Sequence, residues 1–225
     1  MRSTPCVAID LDGTLIDSVP DLTQAANSML EQMDEPACAE QDVRKWVGNG
    51  IPRLVERVLT GSFDGIPDQQ RFEQGLPLFF QSYKNNVCDL SCCYPGVEEG
   101  LGRLAEAGLM LACVTNKSAA FTLPLLEQMG IIDAFELVVS GDTLAEKKPH
   151  PAPLLHIANE LRQNPSECTL IGDSVSDIKA AQAATFQSIV VTYGYNQGFD
   201  LSEFKPDHMV NDFDAAVEIV LRQVI

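Results

Sequence analysis

Two aspartates close an apolar run in Cys6-Val7-Ala8-Ile9-Asp10-Leu11-Asp12-Gly13-Thr14-Leu15. Cys6 to Ile9 read as a buried parallel strand covered on both faces. Asp10 and Asp12 are two apart, so continued strand geometry points both carboxylates the same way. Gly13 lets the chain turn sharply beyond them. Ligands of open α/β sheets sit beyond the carboxyl ends of strands. Carboxylates so placed are capable of nucleophilic attack and of proton transfer. Capping a turn is a poor explanation for two of them.

Three more strand ends carry polar groups. Leu109 to Thr115 reads as a second buried strand, ending at Thr115-Asn116. Leu137-Val138-Val139 is a third, followed after a loop by Lys148-Pro149. Cys168 to Gly172 is a fourth, leading into Gly172-Asp173-Ser174-x-x-Asp177. Each has an ordinary structural explanation: a helix N-cap at Thr115-Asn116, a solvated lysine at 148, a capping box of Ser174 with Asp177. Parallel strands bring their carboxyl ends to one edge, however, and four such groups at corresponding places point to a site.

The elements that must position them follow from periodicity. Ser188 to Tyr193 reads as a fifth strand and Met209-Val210 as a short sixth. Helices fall between: from Pro95-Gly96 to a stop at Gly108, from Ser118 to Gly130, over Pro151–Leu161 and Asp177–Ala184, and over Asp212–Val224 at the end. This alternation predicts an α/β fold, a Rossmann-like parallel sheet with helices on both faces. After the first strand the pattern breaks for about 80 residues, where an ordinary βα loop takes about 2–6. That stretch is helical throughout. Leu22, Ala25, Ala26, Met29, Leu30 and Met33 share one face, and Val43, Trp46 and Val47 suggest a short helix. Ile51, Leu54, Val55, Val58 and Leu59 form another stripe, as do Phe72, Leu76, Phe79, Phe80 and Tyr83. The expected division is a core of residues 1–16 and 92–225 with a small helical cap, residues 17–91, inserted after the first strand.

Lys and Arg total 15 against 32 Asp and Glu, a net charge of −17. This argues against nucleic acid or an anionic membrane as partner. No apolar run approaches a membrane span, and the Met1 end shows no signal peptide. The seven cysteines include no C-x-x-C pair, so zinc is not expected and reduced thiols in the cytoplasm are. A monomer or homodimer acting on a small molecule is the expected form.

The order D-x-D-G-T, T-N, K-P, G-D-S-x-x-D resembles the haloacid dehalogenase superfamily, in its phosphatase branch, across essentially the whole chain. Asp17-Ser18-x-Pro20-Asp21-Leu22, Trp46-Val47-Gly48-Asn49-Gly50, Lys147-Lys148-Pro149-His150-Pro151-x-Pro153-Leu154-Leu155 and Tyr193-Gly194-Tyr195-Asn196 are similar to strings of bacterial phosphoglycolate phosphatases. Two departures stand out: Val175-Ser176, where such relatives often carry Arg-Asn, and Thr185, where Gly is common.

The resemblance implies that Asp10 is the nucleophile, forming an aspartyl-phosphate, and that Asp12 is the general acid and then the base that activates water. A phosphate dianion about 4 Å from Asp10 would be repelled by several kcal/mol at an effective dielectric of about 20. Asp173 worsens this, and Lys148 supplies one positive charge, which does not suffice. A hard dication is implied, Mg²⁺, with the Asp10 carboxylate, the Asp12 carbonyl and Asp173 as ligands and Asp177 in support. Thr115 would grip the phosphoryl oxygens, and Asn116 would do the same or shape its turn. In the cap, Gly48-Asn49-Gly50 opens a helix whose free N–H groups favour an anion, and Arg53 sits in that first turn. A capped surface helix with a solvated Arg explains these as well. The expected activity is Mg²⁺-dependent hydrolysis of 2-phosphoglycolate. Other phosphomonoesterases, a pyrophosphatase and a sugar phosphomutase share the same core residues. A non-enzymatic phospho-ligand sensor would release no phosphate from any ester.

Overall fold

The computed structural model describes residues 5–224; residues 1–4, read above for a signal peptide, lie outside them. The chain divides into two compact units, one of residues up to Asp17 and from Cys93 onward, the other Ser18–Cys92. Its strands are β1 (Cys6–Ile9), β2 (Ile16–Asp17), β3 (Cys92–Cys93), β4 (Met110–Val114), β5 (Leu137–Val139), β6 (Thr169–Gly172), β7 (Gln187–Val191) and β8 (His208–Val210). Its α-helices are α1 (Val19–Gln32), α2 (Glu40–Trp46), α3 (Ile51–Thr60), α4 (Gln69–Asn85), α5 (Val97–Glu106), α6 (Ala119–Gln128), α7 (Ala152–Glu160), α8 (Val175–Ala184) and α9 (Phe213–Val224).

In the first unit six strands form one sheet in the order β5-β4-β1-β6-β7-β8, each neighbouring pair parallel. This is the α/β architecture expected. Alternate residues of β1 face opposite layers. Cys6 and Ala8 join Ala112, Val114 and Leu170 against Leu154, Ile157 and Ala158 of α7 and the alanines 180, 181 and 184 of α8. Val7, Ile9, Leu111, Cys113 and Ile171 are equally buried and point the other way. On that second layer α5 packs on α9, with Gly100 so close to the Phe213 ring that a Cβ would lie 2.8 Å from it. Burial on both faces explains the unbroken apolar runs. β1 connects towards β4 while its neighbour β6 connects towards β7, so a crevice opens at the carboxyl ends of these two central strands.

Some local expectations change. Ser118 stands at the N-cap of α6, but its hydroxyl makes no capping bond; Asp142 accepts the Ala119 N–H instead, at 2.8 Å. Thr185 ends α8 in the left-handed region, φ 60°. A position with that φ is one where Gly costs least, so Thr185 holds a conformation that L side chains rarely adopt. β2 and β3 were not anticipated, since two residues carry no periodic signal.

The second unit is helical, as the periodicity predicts. α1 packs on α4 and α2, and α4 packs on α3. The stripe Val19, Leu22, Ala25, Ala26, Met29 and Leu30 of α1 is buried at helical spacing. Asp68 caps α4 by accepting the Arg71 N–H at 2.9 Å, and the Arg71 guanidinium pairs with Glu35 at 2.7 Å. No helix among the described residues is long and apolar enough to cross a membrane.

Candidate active site

The residues beyond β1, β5 and β6 meet. Asp10 follows β1 and is tied to β6 by its N–H on the Ile171 carbonyl at 2.9 Å. Asp173 follows β6, and Asp177 lies in the first turn of α8. Asp10, Asp173 and Asp177 are all buried and offer carboxylate oxygens within 4.8 Å of one another. Lys148 reaches into this cluster: its Nζ lies 2.6 Å from Asp10 Oδ1, 2.7 Å from Asp177 Oδ1 and 2.7 Å from the Val114 carbonyl. It is buried, not solvated. The capping box also forms, with Asp177 Oδ2 accepting the Ser174 N–H at 3.1 Å and the Ser174 hydroxyl at 2.5 Å. One carboxylate thus caps α8 with one oxygen and holds Lys148 with the other.

The β4 end adds a group that sequence reasoning passed over. Lys117 places its Nζ 3.0 Å and 3.3 Å from the two carboxylate oxygens of Asp12. It directly follows Thr115-Asn116, the only signal that could have found it. The Thr115 hydroxyl accepts the Lys117 N–H at 3.1 Å. Asn116 donates its side-chain amide to the Lys148 carbonyl at 2.8 Å, so it shapes the turn that carries the lysine. Tyr195 was missed in the same way. Its N–H donates to Asp173 Oδ2 at 2.5 Å and its phenol to Asp17 at 2.6 Å. Gly13, at φ +91°, lies under the same carboxylate, where a Cβ would come within 2.2 Å of Asp173 Oδ2.

The electrostatics of this cluster are overloaded with acid. Burial, reinforced by Asp177 and opposed by Lys148, pushes the Asp10 carboxyl up to about 7. Burial with the charges of Asp10 and Asp177 raises Asp173 well above the ordinary carboxylate range. Burial alone would lower Lys148, but Asp10 and Asp177 outweigh it and the ammonium is held more firmly than usual. Four carboxylates, counting Asp12, face two ammonium groups, which leaves two negative charges when all are ionised. Three clustered carboxylates with that deficit fit a hard divalent cation.

Folded, the Asp10 carboxyl keeps its proton to about pH 7; unfolded, it loses it near its ordinary 3.8. The folded state therefore binds more protons between these values. Its contribution is complete at the acid end and is lost as pH rises towards 7. A dication needs the ionised form, so it should bind more tightly where the carboxyl is bare. Adding a divalent cation at one fixed concentration, about 100 times its dissociation constant at pH ~8, is expected to raise the melting temperature by about 5–10 °C at pH ~8 and by much less at pH ~5.5. Thermal denaturation at the two pH values checks this; equal shifts would contradict it.

The remaining expected residues lie in the helical unit. Gly48, Asn49 and Gly50 all adopt positive φ, at 117°, 67° and 91°. The loop is held by Arg57, another residue missed. Buried against the Phe63 ring, it donates to the Trp46 carbonyl at 2.5 Å, the Phe63 carbonyl at 2.9 Å and Asn49 Oδ1 at 3.3 Å. Arg57 sits beside the apolar stripe of α3, where a guanidinium gives no periodic signal. Arg53 is not the solvated arginine of the alternative explanation. It pairs with Glu56 at 2.6 Å and donates to the carbonyls of Gly65 and Phe63, each at 3.0 Å.

The chain matches a family model and several known proteins over most of its length. Residues 7–191 match the family model described as haloacid dehalogenase-like hydrolase. The chain is 47% identical to the phosphoglycolate phosphatase of Nitrosococcus oceani, covering 97% of this chain and 96% of that one. It is 44% identical to the phosphoglycolate phosphatase of Nitrosospira multiformis, with 95% and 94% covered. Among solved structures, a predicted phosphoglycolate phosphatase from Haemophilus somnus superposes with a TM-score of 0.90 at 34% identity, covering 97% of this chain and 99% of that one.

Proposed function

The chain belongs to the haloacid dehalogenase-like hydrolases, and from that premise we propose that it hydrolyses 2-phosphoglycolate to glycolate and phosphate. The observation that carries the phosphatase reading is the Lys148 ammonium lying between Asp10 and Asp177 beside Asp173. The choice of substrate is supported by the named relatives.

Asp10 attacks phosphorus while the bond to the ester oxygen breaks. The departing oxygen takes a proton from Asp12, leaving an aspartyl-phosphate on Asp10. Asp12, now a carboxylate, takes a proton from water as that water attacks phosphorus, and the bond to Asp10 breaks to release phosphate. Lys148 orients Asp10 and offsets its charge as the dianion approaches. Thr115, which follows β4, would meet the phosphoryl oxygens. The Asp10 carboxylate, the Asp12 carbonyl and Asp173 would hold Mg²⁺, with Asp177 in support; when bound, Mg²⁺ supplies positive charge to the transferring phosphoryl group.

Selection among phosphoesters is assigned to the helical unit, through the Gly48-Asn49-Gly50 loop and Arg53 on α3. The protein is read as a cytoplasmic monomer or homodimer with no nucleic-acid or membrane partner. Its seven cysteines are all free thiols, which accords with a reducing compartment.

A screen of the purified protein with Mg²⁺ on small phosphoesters tests the reading. 2-Phosphoglycolate is expected to give the highest kcat/KM, about 10-fold or more above sugar phosphates and pyrophosphate. A lower rank for it would overturn the substrate assignment.

A further inference from the structure

We propose that Lys117 is a positioning residue for Asp12, holding that carboxyl in the orientation from which it protonates the departing alcohol; this rests on the phosphatase reading above. Lys117 Nζ lies within hydrogen-bond reach of both Asp12 oxygens, at 3.0 Å and 3.3 Å. A donor shared by both oxygens resists rotation of the carboxyl group about its Cβ–Cγ bond. The lysine side chain is 3% exposed and that of Asp12 17%, so a desolvated ammonium steadies the more accessible carboxyl. The origin of the ammonium is itself fixed. The Lys117 N–H donates to Thr115 Oγ1 at 3.1 Å, and its carbonyl accepts the Gly141 N–H at 2.7 Å and the Thr122 hydroxyl at 3.2 Å. Asp10 has Lys148 and Asp12 has Lys117, two ammonium groups from separate loops. Two neighbouring carboxyls with separate cations are kept in separate roles, one attacking phosphorus and one moving the proton.

The step balances without consuming the lysine. The ester P–O bond breaks, its electron pair goes to the ester oxygen, and that oxygen takes the Asp12 proton. Lys117 keeps all its protons throughout. A misplaced Asp12 should therefore slow departure of a poor leaving group and spare a good one.

The test compares kcat/KM, which reports the steps up to departure of the alcohol, for 2-phosphoglycolate and for p-nitrophenyl phosphate, whose phenolate leaves without a proton. Lys117→Gln is expected to lose about 100-fold on 2-phosphoglycolate and less than about 5-fold on p-nitrophenyl phosphate. Lys117→Arg keeps a cationic donor in reach of both oxygens and should restore most of the loss; it also carries the test should the Gln variant fail to fold. Equal losses on the two esters, or none, would overturn the proposal. Wild-type protein that releases phosphate from neither ester would overturn the phosphatase reading and this inference with it.

Discussion

Replacing Asp10 with Asn is expected to lower phosphate release from 2-phosphoglycolate by about 10⁴-fold or more, with the protein still folded. The amide keeps the size and an acceptor oxygen for Lys148, which retains Asp177 Oδ1 and the Val114 carbonyl, each at 2.7 Å. What it removes is the nucleophile, for which no other carboxylate in the site substitutes: Asp177 is committed to Ser174 and Lys148, Asp173 to the Tyr195 N–H and Asp12 to Lys117. The fold should not suffer. Asp10 ionises at a cost in its buried setting, where desolvation pushes its carboxyl up. Replacing it therefore relieves repulsion with Asp173 and Asp177, and the melting temperature should stay level or rise in the metal-free protein. Turnover assays with thermal denaturation on the same sample check both halves.

Chelating the metal is expected to have the second-largest effect, a loss of about 10³-fold that excess Mg²⁺ reverses. The reason is the charge deficit. Three carboxylates, Asp10, Asp173 and Asp177, crowd around the single Lys148 ammonium before a phosphate dianion arrives, in a region where Asp10 and Asp173 are desolvated. Without a dication, burial pushes the Asp10 carboxyl up to about 7, so much of it holds a proton near neutral pH, and a protonated Asp10 does not attack. Activity in EDTA, followed by titration with Mg²⁺, gives the measurement.

The four strand ends were legible because buried parallel strands have unbroken apolar runs and their polar successors stand out against them. Asp10, Lys148, Asp173 and Asp177 met where those runs stop. The helical insert was legible by its length and its 3.6-residue stripes. Lys117 was not, since a lone lysine after Thr115-Asn116 looks like any solvated one, and its partner lies 105 residues away. Tyr195 acts on Asp173 through its backbone N–H, which no side-chain pattern announces. Arg57 is buried by carbonyls gathered from the end of α2, at Trp46, and from the loop after α3, at Phe63, and that gathering is tertiary. Asn116 was read with two alternatives, and its bond to the Lys148 carbonyl favours the shaping role.

Phosphorus is expected to become covalently attached to Asp10 during turnover. Acid quenching of the protein with Mg²⁺ and 2-phosphoglycolate, followed by digestion and mass analysis, tests it most directly. One phosphoryl group is expected on the peptide carrying Asp10, absent from Asp10→Asn. Rapid turnover with no phosphorylated peptide, or with the group on another residue, would contradict it.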